Sequence, residues 1–476
     1  MISTIDGIAA ASGLRQQDVG LVARLVDAWW RNYAKNCKRH TYYTMHNRLV
    51  DLGISIPPEL TNLNAACGWA KKCVDVMVEH SRFDAFTAQD EDAERTLTTI
   101  ARRNHMRSLY RMATTSALEL CFSLLFVSKD EQTGRPHLSA YPASVCGCTW
   151  DGLNKRLDAA MFVVSMRKER IGEDYAPDWV NVVTDEHLIR IRRDESDAWH
   201  ASYERHGLGR LPVFMLAYEP TLTKPFGTSR ITREVMGYID SAVRANVNEE
   251  IAAAFAVAPQ KYLLGTEDDP FDKLPRWKAY VGSIINVDMT EDGTVPQFGQ
   301  LSQPSMEPLN VHWRLLCGRM SAATGIHVSQ FGIVHDNPAS GDAIYAENEP
   351  LILKVRDWNE SAKEVLVEVA TALLATERGT TYDAIEEQQL GIVASMPNPA
   401  MPTLAQQTDA SVKIASVVPE FASTRAFWLT NGYSNDETDA ILAEIASQRT
   451  REATNAAIAS MFGGAANGSG EERVAG

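Results

Sequence analysis

From Ile231 to Phe255 an apolar side chain returns at every fourth position, through Val235, Ile239, Val243, Val247 and Ile251. That spacing predicts a helix over about 230–256, closed by Pro259. Its 27 residues, Arg230 to Ala256, would span about 40 Å. At about 100° per residue a row spaced by four drifts around the helix axis. A single antiparallel partner cannot cover such a row. Neighbours on more than one side can, as head-to-tail copies in a closed ring do.

The chain beyond this helix reads as an excursion and a return. Residues 259–304 are turn-rich, with short strands expected at 262–264 and 283–287, a hairpin turn at Asp292-Gly293, and the acidic run Glu267, Asp268, Asp269 with Asp272. A second helix is predicted over 308–324, with Gly325 placed to stop it. Residues 326–339 form a loop, after which Ser340 or Asp342 can cap a long helix to about residue 376. Leu351, Val355, Trp358, Ala362, Val365, Val369 and Ala372 recur along it in steps of three and four. Pro350 removes one of its hydrogen bonds and is expected to kink it.

The rest is mixed. Residues 19–50 carry a helical pattern through Leu21, Leu25, Trp29 and Tyr33, and Pro57-Pro58 ends that unit. A helix through Trp69, Cys73, Val76 and Met77 comes next. Residues 94–126 read as one further long helix, basic in its middle (Arg102, Arg103, Arg107, Arg111) and apolar at its end. The basic cluster fits a solvated face better than a DNA patch, because the chain carries 46 Lys and Arg against 61 Asp and Glu, a net charge of −15. That balance also excludes tight non-specific binding of nucleic acid by the whole surface. Short strands are expected at 161–166, 179–183, 188–191, 199–205 and 213–218. A strand near 392–395 and helices over 404–462 complete the pattern, with a Gly- and Ser-rich tail at 463–476. The fold class is α+β.

Chemistry is mostly missing. No Walker A loop, H-E-x-x-H, G-x-S-x-G or zinc-deaminase pattern occurs. Asp288, Asp292 and Gly293 do not complete an EF-hand loop. The seven cysteines are odd in number and scattered, which fits reduced thiols; Cys146-Gly147-Cys148 lacks a second ligand pair for zinc. Glu267, Asp268, Asp269 and Asp272 could hold a divalent metal, but no Lys or His stands beside them at a catalytic spacing, so a partner-facing loop is the simpler reading. The apolar run 120–128 is too short to cross a membrane, and residues 1–13 lack the charge and apolar regions of a signal peptide. No cofactor, metal or membrane is expected, and no enzyme activity.

The order of helix, small acidic unit, helix, loop and long helix resembles that of the tailed-bacteriophage portal proteins. The residues agree with the order. His206-Gly207-Leu208-Gly209-Arg210-Leu211-Pro212-Val213 resembles a strand lead-in of siphophage portals. Phe226-Gly227-Thr228-Ser229-Arg230 is similar to their lead into the first stem helix. Asp336-Asn337-Pro338-Ala339-Ser340-Gly341-Asp342-Ala343-Ile344, with Glu347 after it, resembles the stretch leaving their tunnel loop. Tyr42-Tyr43 and residues 63–86 fit the N-terminal region of the same family.

The resemblance implies a head-tail connector, a ring subunit with a mixed α/β wing, a two-helix stem, a small α/β clip, a long kinked helix and a helical crown. Carried onto this chain, 1–24 is an N-terminal arm, 25–228 the first part of the wing, 229–256 and 308–325 the stem helices, and 257–307 the clip. The tunnel loop is 326–339, the wing resumes over 340–400, the crown is 401–462 and the tail 463–476. A homo-oligomer, usually a dodecamer, would sit at one capsid vertex of the virion after assembly in the host cytoplasm. Double-stranded DNA would be packaged and ejected through it. The terminase large subunit, a head-tail adaptor, and the major capsid and scaffold proteins are the implied partners.

On this reading Ile231, Val235, Ile239, Val243, Val247 and Ile251 pack the stem. Glu267, Asp268, Asp269 and Asp272 dock partners on the clip. His327, Gln330, Phe331, His335 and Asn337 face DNA from the loop. The stem's mixed charges suit passage: about 40 Å of duplex presents roughly 24 phosphates, which a uniformly basic wall would grip. A packaging nuclease or other enzyme, and a capsid or scaffold protein, remain as alternatives.

Overall fold

The fold is described from a computed structural model, over residues 7–47, 66–130, 132–168, 175–257, 261–264, 295, 297–300, 305–333, 341–400, 404–433 and 435–463. The chain divides into two compact units, Met1–Pro399 and Ala400–Gly476.

The first unit is layered around two antiparallel sheets. Helix α1 (Gln16–Tyr43) buries Val22, Leu25, Val26 and Trp29. They lie on one face of a five-stranded meander of β4 (Cys146–Asp151), β5 (Arg156–Lys168), β6 (Tyr175–Val183), β7 (His187–Arg193) and β8 (Trp199–Arg205). The Trp29 indole donates to the Ser144 carbonyl at 2.8 Å. At Gly147 of β4 a Cβ would overlap the Leu25 carbonyl oxygen, so the small residue lets helix and strand touch. The other face of the meander meets β2 (Phe122–Lys129), flanked in its own sheet by β3 (Pro136–Pro142) and β9 (Val213–Ala217). A pair of short strands, β1 (Ala85–Thr87) and β12 (Val393–Ser395), joins an early segment of the unit to its last residues, antiparallel.

Three sequence expectations change here. The helix expected over 94–126 is two helices and a strand: α3 (Glu91–Arg103), α4 (Met106–Leu120) and β2. Asn104 breaks it. Its side-chain amide donates to the Ile100 and Pro136 carbonyls and its oxygen accepts from the Leu138 amide, while His105 takes φ +50°. The apolar end is a strand because β2 is buried on both faces, and a two-sided strand reads as an unbroken apolar run. The boundary at 24/25 falls inside α1, and residues before that helix are part of the unit, with Ile8 in the core beneath the meander. That helix also ends at Tyr43 rather than near residue 50.

The excursion begins at α5 (Arg233–Val257) and returns through α6 (Glu307–Thr324). Between them β10 (Lys261–Leu264) pairs antiparallel with β11 (Gln297–Gln300). The strand expected at 283–287 and the turn at 292–293 lie outside the described residues. Helix α7 (Gly341–Arg378) is next in the chain and continues through Pro350. It covers the face of the β3-β2-β9 sheet that the meander leaves free. A single short turn of helix, α8 (Tyr382–Glu386), packs against it, with Tyr382 and Ile385 buried.

A fourth change is in the four-residue row. Ile231, Val235, Ile239, Val243 and Val247 are all buried within one chain and Ile251 is half-buried. Cover comes from α6 and from α2 (Trp69–His80), both of which pack on α5. The drift is real, but it does not need other copies.

The second unit is helical: α9 (Leu404–Val417), α10 (Arg425–Thr430) and α11 (Asn435–Gly463). Phe421, Phe427, Trp428 and Tyr433 form an edge-to-face aromatic chain within it.

Candidate functional site

The region with functional promise is the helix pair α5–α6 and the segment that leaves it. Along α6 the buried positions are Leu316, Cys317, Met320 and Thr324, a stripe at steps of one, three and four that faces α5 and the core. Val311 and Leu315 stay exposed on the same helix. Trp313 packs against Trp69 of α2, ring centroids 5.1 Å apart.

The outer surface of α5 alternates in sign: Arg233, Glu234, Arg244, Glu249 and Glu250 are exposed. Asp240 is held instead. Its two carboxylate oxygens accept from the Tyr42 hydroxyl at 3.0 and 2.9 Å. Burial, then the Asp240 carboxylate, pushes the Tyr42 hydroxyl up to about 12, so it stays a donor at any physiological pH. This contact ties α1 to α5.

Helix α6 ends where glycine allows it to. Gly325 takes φ +71°, a left-handed turn that side chains disfavour. Ile326 is then buried, and Val328–Phe331 makes one 3₁₀ turn. His327 accepts from the Ser329 amide at 3.3 Å and lies 3.4 Å from Glu347 of α7.

The structure separates the residues assigned to the loop. Gln330 is exposed, as a surface contact requires. Phe331 is 5% exposed and sits 5.5 Å from the Trp69 ring. It is an anchor of the core rather than a side chain offered to a ligand, because its ring packs edge-on against Trp69 within the buried cluster. His335 and Asn337 lie outside the described residues, as do Glu267, Asp268, Asp269 and Asp272. Sequence reasoning also missed Arg230, whose buried guanidinium bonds to carbonyls of α2 and α6; its signal was an arginine closing the Phe226–Arg230 motif beside an apolar row.

Other candidates for chemistry stay inert. All seven cysteines are free thiols. Burial pushes Cys146 and Cys148 well above the ordinary thiol range, so neither is a ready nucleophile or ligand. Among the described residues no His, Cys, Asp or Glu group could hold a metal, and no helix is long and apolar enough to cross a membrane. A cavity of about 250 Å³ lies between the two sheets, edged by Phe126, Tyr141, Trp179, Asn181 and the Arg190–Glu204 ion pair.

Comparison with known proteins bears on the whole chain. The family described as phage portal protein, SPP1 Gp6-like, matches residues 22–450. The portal protein of Mycobacterium phage D29 is 23% identical over 394 residues, 80% of this chain and 79% of the relative. That of Mycobacterium phage L5 is 23% identical over 415 residues, 84% and 82% of the two chains. Among solved structures, the neck of an empty gene transfer agent particle computed with C6 symmetry aligns with a TM-score of 0.45 at 12% identity, over 82% of this chain and 95% of that one. The neck of the native particle computed with C12 symmetry gives 0.44 at 13%, over 79% and 94%. With its family matched from residue 22 to residue 450, the chain belongs to the phage portal proteins of the SPP1 Gp6-like type, structural channel components of the capsid and not enzymes.

Proposed function

We propose that this chain assembles as a closed dodecameric ring at one vertex of a phage capsid, and that double-stranded DNA is packaged and ejected through its axis. Family membership across nearly the whole chain carries the reading. The order of elements supports it: a long helix leads out to a pair of antiparallel strands, a second helix returns, and a glycine-flanked segment precedes another long helix. In this reading residues 25–228 and 340–400 are the wing, although α1 belongs to it from Gln16. Residues 229–256 and 308–325 are the stem, 257–307 the clip, 326–339 the tunnel loop and 401–462 the crown.

Mixed charge along α5 lets DNA slide, because phosphates find no continuous row of cations to neutralise. Gln330, His327, His335 and Asn337 are the residues that would touch DNA, weakly and reversibly, and Phe331 would hold the loop's first turn in place. Glu267, Asp268, Asp269 and Asp272, repeated around the ring, would form an acidic collar that steers the terminase large subunit and the head-tail adaptor. The major capsid and scaffold proteins would surround the wing, within the virion.

Electron microscopy of the purified full-length chain tests the reading. Rings with an axial hole wide enough for duplex DNA are expected. Compact monomers at every concentration would overturn it.

A further inference from the structure

The run that leads into α5 is fastened to the body residue by residue, and the fastenings converge on one buried cation. Gly227 takes φ +72°, and a Cβ there would overlap the Tyr218 carbonyl oxygen. The Thr228 amide donates to that carbonyl at 2.7 Å, and the Arg230 amide donates to Leu118 O at 2.9 Å. The Ser229 hydroxyl donates to the Glu119 carbonyl and accepts from the Ile231 amide.

Arg230 then turns inward, 6% exposed. Its Nε donates to the Cys73 carbonyl of α2 at 2.7 Å. One Nη donates to the Tyr218 hydroxyl at 2.9 Å, and the other to the Thr324 carbonyl of α6 at 3.1 Å. None of these three oxygens is a carboxylate. Negative charge enters through Tyr218, whose hydroxyl accepts from Arg230 and donates to Glu219 Oε1 at 2.9 Å. Glu219 itself holds φ +45°, a strained setting for a residue with a side chain.

A buried cation is a poor way to fill space, since an apolar side chain of similar volume avoids the cost of desolvating it. What it supplies is a rigid fork whose donors point in several directions at once. The Thr324 carbonyl matters most. It is among the last carbonyls of α6, which have no partner inside their own helix, and a cation there also complements the helix dipole. The cap that ends α6 therefore comes from the residue that begins the approach to α5. Immediately beyond it lie Gly325 and the segment 326–333.

We propose that Arg230 is a positioning residue: its guanidinium locks the end of α6, and the direction in which 325–333 departs, to the start of α5 and to α2. The two long helices thus share one anchor at their base. This goes beyond the channel reading and does not need it.

Hydrogen exchange on the full-length chain, read peptide by peptide, tests the anchor in three variants. Arg230→Met keeps volume and removes the donors, Arg230→Lys keeps charge and loses the fork, and Tyr218→Phe removes the link to Glu219. In Arg230→Met the amides of 321–333 and 231–236 should exchange about 10- to 100-fold faster, the loss of one or two charge-assisted bonds, with β4–β8 unchanged. Arg230→Lys and Tyr218→Phe should move the same amides by less. Exchange that rises in proportion throughout the first unit, or stays at the wild-type rate at 321–333, overturns the proposal. If Arg230→Met does not fold, the other two variants decide it by the same comparison. DNA retention in assembled particles is a separate readout that rests on the channel reading. Faster local exchange with normal retention upholds the anchor and rejects a DNA-facing loop.

Discussion

At position 147 one missing methyl group decides whether α1 can lie on its sheet. The Leu25 carbonyl oxygen occupies the place a Cβ would take, and it is backbone, so relief requires helix and strand to separate. Gly147→Ala should lower the free energy of unfolding by about 1–3 kcal/mol, read from a urea midpoint; an unchanged midpoint would mean that the helix can shift freely. Glu119 couples a single residue to pH. Its carboxylate is almost wholly buried, 2.8 Å from His40 Nδ1. Burial raises its pKa above the ordinary 4.5, opposed in part by His40. The folded chain therefore holds that proton to higher pH than the unfolded chain does. Stability should fall as pH climbs from about 4.5 through the raised value, because only the unfolded state then ionises freely. Glu119→Gln should flatten this part of the melting-temperature profile. An equal slope in the variant would assign the titration to other groups.

Among elements, the turn after α6 invites a paired test. Phe331→Ala empties a core site and should cost about 3–5 kcal/mol, whereas Gln330→Ala next to it should stay within about 0.5 kcal/mol. Denaturation of the two variants checks both. Removing 330–334 as a block would confuse loop length with the loss of this anchor. Helices α5, α6 and α7 were legible because side chains three and four apart share a face, and caps such as Gly325 mark their ends. Strand β2 was not, since burial on both faces erases the alternation that marks a strand. The break at Asn104 carried no proline or glycine; it depends on carbonyls and an amide from residues 100, 136 and 138. The cover of the Ile231 row and the burial of Phe331 are long-range facts of the same kind, because each depends on α2, some 160 to 260 residues earlier in the chain. The side of a helix that needs cover is written locally, and what supplies the cover is not.

For the molecule as a whole, native mass measurement should give one large species near twelve copies, and dimers alone would reject the ring. Purified protein with ATP and magnesium should release phosphate only at background, since the chain has no phosphate loop. Replacing Glu267, Asp268, Asp269 and Asp272 by Ser should weaken binding of the motor or adaptor by about tenfold at low salt and less at high salt, with the ring unchanged. Equal affinity at low salt would place docking elsewhere. The pairing of β1 with β12 has its own consequence for how the protein is made. Residues 85–87 leave the ribosome long before 393–395, and at ~5–20 residues per second the first strand waits roughly 15–60 s for its partner. Through that interval β1 has no partner strand and α7 is incomplete. A nascent or truncated chain is therefore unfinished at its core, and a subunit becomes competent to join its neighbours only after nearly all of it has been synthesised.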